Sequence, residues 1–294
     1  MPKKLVYWYA AMFATYIFWG TQIPALKALS GQVPLTLIVF FRYLMAVLAL
    51  LPFFVMMKGR KTVSKEDFRI LVLLGFLGVA LYGILNIFGI KHTTGVNTSI
   101  ILHTWPLVMT LFAPMLIGEK VGKGSYVGLV LGFAGLVAVV SEGNLSSIWE
   151  TKYLLGNILI FLSGICIALY TIFNKRFNHK YGGLNVTFLS FATGSVFLFL
   201  FSLFSGDLPK AVLITPKEWF LLFWAGVPTL ALTWMIWFNA MRKIGLVKAN
   251  SFFLLIAPAG IFFSIILLGE TIAPIKLIGT GLILSGLYIV QTRK

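Results

Sequence analysis

The sequence predicts an all-α membrane protein: ten transmembrane helices built as two inverted five-helix repeats, with both termini cytoplasmic. Three observations carry that expectation. The 294-residue chain is 59% hydrophobic and only 11% charged, against about 25% charged residues in a soluble domain. Its apolar residues fall in ten runs, each near the roughly 20 residues a helix needs to cross a bilayer. Finally, one phrase occurs twice: "LIGEK" at Leu116–Lys120 returns as "LLGET" at Leu267–Thr271, 151 positions on.

In order, the segments run approximately over 6–28, 34–57, 69–90, 95–117, 122–141, 153–174, 184–206, 217–241, 246–268 and 272–291. The first follows Lys3 and Lys4 and imitates a signal peptide. It is too long for one, and its loss would remove the opening span of a repeat, so it reads as a mature helix. Loops are short and leave no soluble domain. With the N-terminus inside, 17 lysines and arginines lie in cytoplasmic segments and 6 in outer ones, while Arg42 lies within a span. That bias sets the orientation. A net charge of +16 would point to nucleic acid in a soluble chain. Here it is the charge of inner loops facing anionic lipid, and no nucleic-acid partner is expected. The single Cys166 sits in an apolar run, so neither a disulfide framework nor a thiol metal site is expected.

The two copies cover residues 6–141 and 153–291. Gly128 and Gly135 recur as Gly279 and Gly286 at the same offset, and Pro106 pairs with Pro258 at an offset of 152. Five spans is an odd number, so the second copy enters the membrane from the opposite side. Inverted repeats are a common construction of secondary transporters, with the binding site near the midplane between the halves. A stable helical bundle is the plainer use of the same duplication.

The chain resembles the EamA-domain family of the drug/metabolite transporter superfamily, and within it the ten-helix exporters of aromatic and neutral amino acids. The residues that carry the resemblance are "FWGTQIPALKAL" at Phe18–Leu29, "FFRYLMAVLALLP" at Phe40–Pro52 and "TWPLVMTLFAPMLIGEKV" at Thr104–Val121 with "GLVLGFAGLVAVV" after it. The second copy offers "IAPAGIFFSIILLGETI" and "LIGTGLILSGLYIV". It departs at Ser190, roughly where the first copy has Arg42, and at Ala168, where the first has Gly20. The resemblance implies a cavity lined by spans 1, 3, 4, 6, 8 and 9, and efflux or exchange of small metabolites, often amino acids.

Polar groups deep in lipid are costly, so each needs a partner or a wet cavity. The candidates for substrate contact are Trp19 and Gln22 in span 1, Tyr82 and Asn86 in span 3, and Ser99 and His103 in span 4. To these are added Tyr170 and Asn174 in span 6, Trp234 and Trp237 in span 8, and Asn250 in span 9. Pairs three or four apart share a helix face. Gln22 aligns with Tyr170 at an offset of 148, and Asn86 with Trp237 at 151. The copies thus place polar and aromatic residues alike while choosing different ones. For each there is a plainer role: the tryptophans in a lipid-facing belt, the asparagines as helix-to-helix bonds, and His103 on a carbonyl freed by a kink at Pro106.

Pro106 and Pro258 are the candidate hinges. Arg42 reads as structural, bonded to backbone carbonyls or a helix end. Glu119 and Glu270 read as caps for the helices that follow them. Gly128, Gly132 and Gly135 in span 5, with Gly281 and Ser285 in span 10, read as internal packing or a dimer seam. All eight acids fall in loops or at span ends, which leaves His103 as the midplane group able to carry a proton. No P-loop, HExxH or Ser-His-Asp set is present, and no cofactor or metal is expected. The expected protein is a secondary transporter of the cytoplasmic membrane, a monomer or weak homodimer, exporting or exchanging amino acids or related small metabolites by alternating access. A drug or sugar-metabolite carrier, a non-transporting assembly partner and an intramembrane enzyme are the alternatives.

Overall fold

The computed structural model describes residues 3–57, 62–141, 144–255 and 274–292, and no strand occurs among them. The helices are α1 (Lys3–Ser30), α2 (Leu35–Met56), α3 (Lys65–Lys91), α4 (Gly95–Leu102), α5 (Trp105–Ile117), α6 (Lys123–Ser141) and a short α7 (Ser146–Trp149). Then come α8 (Thr151–Tyr181), α9 (Gly183–Phe204), α10 (Pro216–Ile244), α11 (Leu246–Leu255) and α12 (Pro274–Thr292). Eight described helices are long and apolar enough to cross a membrane: α2, α3, α6, α8, α9, α10, α12, and α5 counted from Ile100. α1 has 28 residues. α11 begins the ninth predicted segment, whose remainder, with Pro258 and Glu270, lies outside the described residues.

Local chemistry sets the helix ends. Ser64 caps α3 by accepting from the Asp67 amide, and Thr215 and Glu218 form a reciprocal capping box at the start of α10. α5 ends at Gly118, whose φ of 64° lies in the left-handed region. α8 is 31 residues long, about two turns longer than predicted, because Lys175, Arg176 and Lys180 extend the helix past its apolar run. Large apolar side chains such as Leu73, Met115 and Phe204 point outward and are exposed, as hydrocarbon-facing residues are.

The fourth predicted segment is broken. His103 and Thr104 form a turn between α4 and α5, and Pro106 sits in the first turn of α5. Proline is pre-organised for that position and loses no helical bond there. Pro106 therefore starts a new helix rather than kinking a continuous one.

Contacts between the copies come in matched pairs. α6 and α12 pack along their length with no room for side chains at the seam. A Cβ on Gly128 would stand 2.6 Å from the Gly286 carbonyl oxygen, and one on Gly279 would stand 2.6 Å from that of Gly135. Residue numbers rise along one helix as they fall along the other, so the helices are antiparallel. Adding 151 to 128 and 135 gives 279 and 286, so each contact is the image of the other. The seam is internal packing, as expected, but Gly281 is exposed with open space beside it, and Ser285 is exposed too. Gly279 and Gly286 take the place expected for them. The same matching appears where Gly75 of α3 meets the Ser190 carbonyl of α9 and Gly226 of α10 meets the Arg42 carbonyl of α2.

Just after those glycines, both α3 and α10 widen into a π-helical turn, at Phe76–Leu81 and Val227–Leu232. The two turns are again 151 positions apart. In α10 the cause is visible: Pro228 has no N–H to donate, and the Thr229 hydroxyl instead reaches back to the Trp224 and Ala225 carbonyls at 3.1 Å each. Such turns are frequent at functional sites.

Candidate functional site

The buried residues downstream of the π turn of α10 meet those of α1, α5, α8 and α11 in one aromatic cluster. Trp19 of α1 lies 5.8 Å from Trp234 of α10, centroid to centroid, and 5.8 Å from Phe253 of α11. Trp234 also meets Tyr170 of α8 at 5.8 Å and Trp237 at 5.6 Å. Phe253 gathers His103 at 4.7 Å, Trp105 at 5.1 Å and Tyr16 at 5.7 Å. Each such pair contributes about 0.5–1.5 kcal/mol beyond burial, and most join the first copy to the second.

Hydrogen bonds orient the rings. The Trp19 indole N–H donates to the Thr233 hydroxyl at 2.8 Å, which donates to the Thr229 carbonyl at 2.9 Å. The Trp237 indole donates to the Tyr16 hydroxyl at 3.0 Å, which donates to the Ala249 carbonyl at 3.0 Å. Gln22 donates to the Thr229 hydroxyl at 3.2 Å and to the Ala225 carbonyl at 3.4 Å. Arg42 donates to the same Ala225 carbonyl at 3.2 Å, so its role as a backbone-bonded structural residue matches the sequence reading. The Ala225 carbonyl stands at the entrance to the π turn of α10 and takes three side-chain donors.

The cluster brings together Trp19, His103, Tyr170, Trp234 and Trp237, and Gln22 bonds to α10 beside it. The tryptophans are buried, which removes the lipid-belt role. Asn174 and Asn250 are also buried, and among the described residues neither their amide nitrogens nor their oxygens have a hydrogen-bond partner. They are not helix-to-helix bonds in this conformation. Asn86 is half-buried with an unpartnered amide nitrogen, and Tyr82 is half-buried. The Ser99 side chain lies outside the described residues. Sequence reasoning passed over Tyr16, Thr229, Thr233 and Phe253. Tyr16 stands three residues before Trp19 on the same face, a signal of the same kind as those used. Phe253 carries no such signal.

Glu119 does not cap the next helix. α6 begins four residues later at Lys123, and the Glu119 carboxylate pairs instead with Lys175 of α8. Among the described residues no group of three or more His, Cys, Asp or Glu is arranged to hold a metal.

A family model described as the EamA-like transporter family matches the chain twice, over residues 6–141 and 154–292. The chain belongs to the EamA-like transporter family. It is 24% identical over 295 residues to a Bacillus subtilis (strain 168) protein named Uncharacterized transporter YetK, covering 100% of this chain and 89% of that one. An Archaeoglobus fulgidus protein named Uncharacterized transporter is 24% identical over 280 residues, covering 95% and 96%. A solved crystal structure superposes with a TM-score of 0.73 at 16% identity, over 95% of this chain and 94% of that one, a likeness of fold alone. EamA membership and the apolar helices make this a multi-pass transporter of the cell membrane, within the drug/metabolite transporter superfamily.

Proposed function

We propose that the protein is a secondary transporter that exports or exchanges amino acids with an apolar or aromatic body, by alternating access about a midplane chamber. In this reading ten helices form two inverted repeats, 6–141 and 153–291, with both termini cytoplasmic. The observation that carries it is the pairing of an inter-repeat aromatic cluster with buried amides, at Asn174 and Asn250, that have no partner among the described residues. Leaving a buried polar group unsatisfied costs about 1–3 kcal/mol, a cost that a binding site recovers when ligand arrives. Aromatic faces suit an apolar side chain, and amides with His103 suit a zwitterionic end. The matched seams at Gly128–Gly286 and Gly135–Gly279 support two halves that exchange conformations. A drug-cation carrier is less well supported, because no carboxylate contacts the aromatic cluster among the described residues. Pro106, at the break between α4 and α5, remains the hinge proposed for the first copy, and the two π turns are further candidate hinges.

The test is flux from proteoliposomes preloaded with mixed amino acids, with and without a pH gradient. Selective loss of aromatic and large neutral amino acids is the expected result, with facilitated export or exchange if the gradient has no effect. Dependence on the gradient would make His103 the proton carrier. Retention of every amino acid would overturn the substrate class and move the search to sugars and nucleotide-linked metabolites.

A further inference from the structure

One cavity lies away from the aromatic cluster. It measures about 640 Å³ and is lined by Glu119, Lys120, Gly122 and Ser125 from the first copy and by Ile244, Val247 and Lys248 from the second. It therefore opens between the repeats, at the end where α5 finishes and α6 and α11 begin. The sequence places that lysine-rich end in the cytoplasm.

Its charge is one-sided. Among the described residues Glu119 is the only acid in the lining, and it is tied to Lys175. Lys120 and Lys248 are in no ion pair among the described residues. Lys248 gives one donor to the Gln291 carbonyl at 2.7 Å, and an ammonium has three. A concave wall bearing two such cations concentrates anions.

The unpartnered amides lie close in the chain to residues of the cavity and of the pair at its wall. Asn250 follows Lys248 by two residues on α11, and Asn174 precedes Lys175 on α8. The Glu119–Lys175 pair joins the two copies: Glu119 lines the cavity, and Lys175 is the residue that follows Asn174. A second inter-repeat pair, Asp67–Lys180, spans 2.6 Å at the same end, but its lysine side chain is 53% exposed. At Glu119–Lys175 the exposures are 12% and 22%. Exposed pairs contribute little, so the better-shielded pair is the stronger link between the copies at this end.

We propose that this cavity is the inner mouth of the transport path, selective for solutes bearing a carboxylate or similar anionic group, and that Glu119–Lys175 is the gate between it and the amides at Asn174 and Asn250. This rests on the transport reading above and adds an anionic end to the substrate, a side of entry and a gate. When the pair opens, Lys175 is released beside Asn174, where it can follow the anionic group inward.

Thiol labelling in detergent solution, where reagents reach both ends, tests this without a known substrate. The background carries Cys166→Ala, since Cys166 is the only native cysteine. Reporters are Ser125→Cys in the cavity and Asn250→Cys beyond the gate. The Ser125→Cys thiol should react about tenfold faster with a sulfonate-bearing methanethiosulfonate than with its trimethylammonium counterpart. Lys120→Gln with Lys248→Gln should bring that ratio close to one. Asn250→Cys should be protected while the pair is intact, label readily with Glu119→Gln or Lys175→Met, and be protected again in the exchanged pair Glu119→Lys with Lys175→Glu. Equal rates for the two reagents, or a preference untouched by the lysine substitutions, would overturn the anionic mouth. Protection of Asn250→Cys that persists in both single gate variants, shown folded by an unchanged elution profile, would overturn the gate. If either result came with intact amino-acid flux, the mouth or the gate respectively would fall and the transport reading would stand.

Discussion

Gly128 of α6 and Gly286 of α12 meet backbone to backbone, and the contact is repeated in mirror order by Gly135 and Gly279. Lipid supplies no hydrophobic drive between helices, so close packing by small residues holds such seams together. Gly286→Val should cost about 1–3 kcal/mol through overpacking, read as a lower melting temperature in detergent. Gly281→Ala, with open space beside it, should stay within about 0.5 kcal/mol. Equal melting of the two variants would show that the seam does not bear on stability.

The unpartnered amides separate binding from stability. Asn174→Leu and Asn250→Leu remove buried polar groups that have no partner among the described residues, so melting should hold or rise while flux is lost. That is the trade expected where a site is kept at a cost to the fold. Asn178 provides the contrast. Its amide donates to the Phe238 carbonyl at 2.6 Å, and Asn178→Leu should destabilise by about 1 kcal/mol. A fall in melting temperature for all three would make the asparagines structural.

The chain from Trp237 through Tyr16 to Ala249 links α10, α1 and α11. Tyr16→Phe leaves the buried indole N–H without an acceptor, at about 1–3 kcal/mol. Tyr16→Phe and Trp237→Phe together should cost less than the sum of the singles, with a coupling of about 0.5–3 kcal/mol. A double-mutant cycle on thermal unfolding reads that number, and strict additivity would dissolve the link.

The duplication was legible because it preserves glycines: Gly128 and Gly135 announce Gly279 and Gly286. Which glycines form the seam was less so. Gly281 and Ser285 have the spacing of a packing motif but face outward, since a helix apolar all round gives no periodic sign of its inner face. The π turn of α10 had a mark in Pro228, while that of α3 had none beyond Gly75 and Gly78, and neither was found until the backbone was seen. The cluster's tryptophans and tyrosine stood out as polar aromatics inside spans. Its hub, Phe253, is one apolar residue among many. Glu119 was misread for another reason: its partner Lys175 lies in the other copy, and only the tertiary fold brings them together.

A last prediction concerns the end opposite the gate. Asp207, in the loop after α9, accepts from Lys210 at 2.7 Å and from the Thr36 hydroxyl at the start of α2 at 2.6 Å. Those two bonds, the lysine's first, hold its carboxyl below the usual carboxylate range. A lowered folded value means that the stabilisation is fully present above the ordinary Asp value of about 3.9 and is lost as pH falls through the folded one. Parent and Asp207→Asn should therefore differ in melting temperature by a constant amount from neutral pH down to about 4, and converge below it. The side chain is 16% exposed, so the difference is small, about 1 kcal/mol or less. A gap that widens as the solution is acidified would mean that the charged form of Asp207 is not the one the fold prefers.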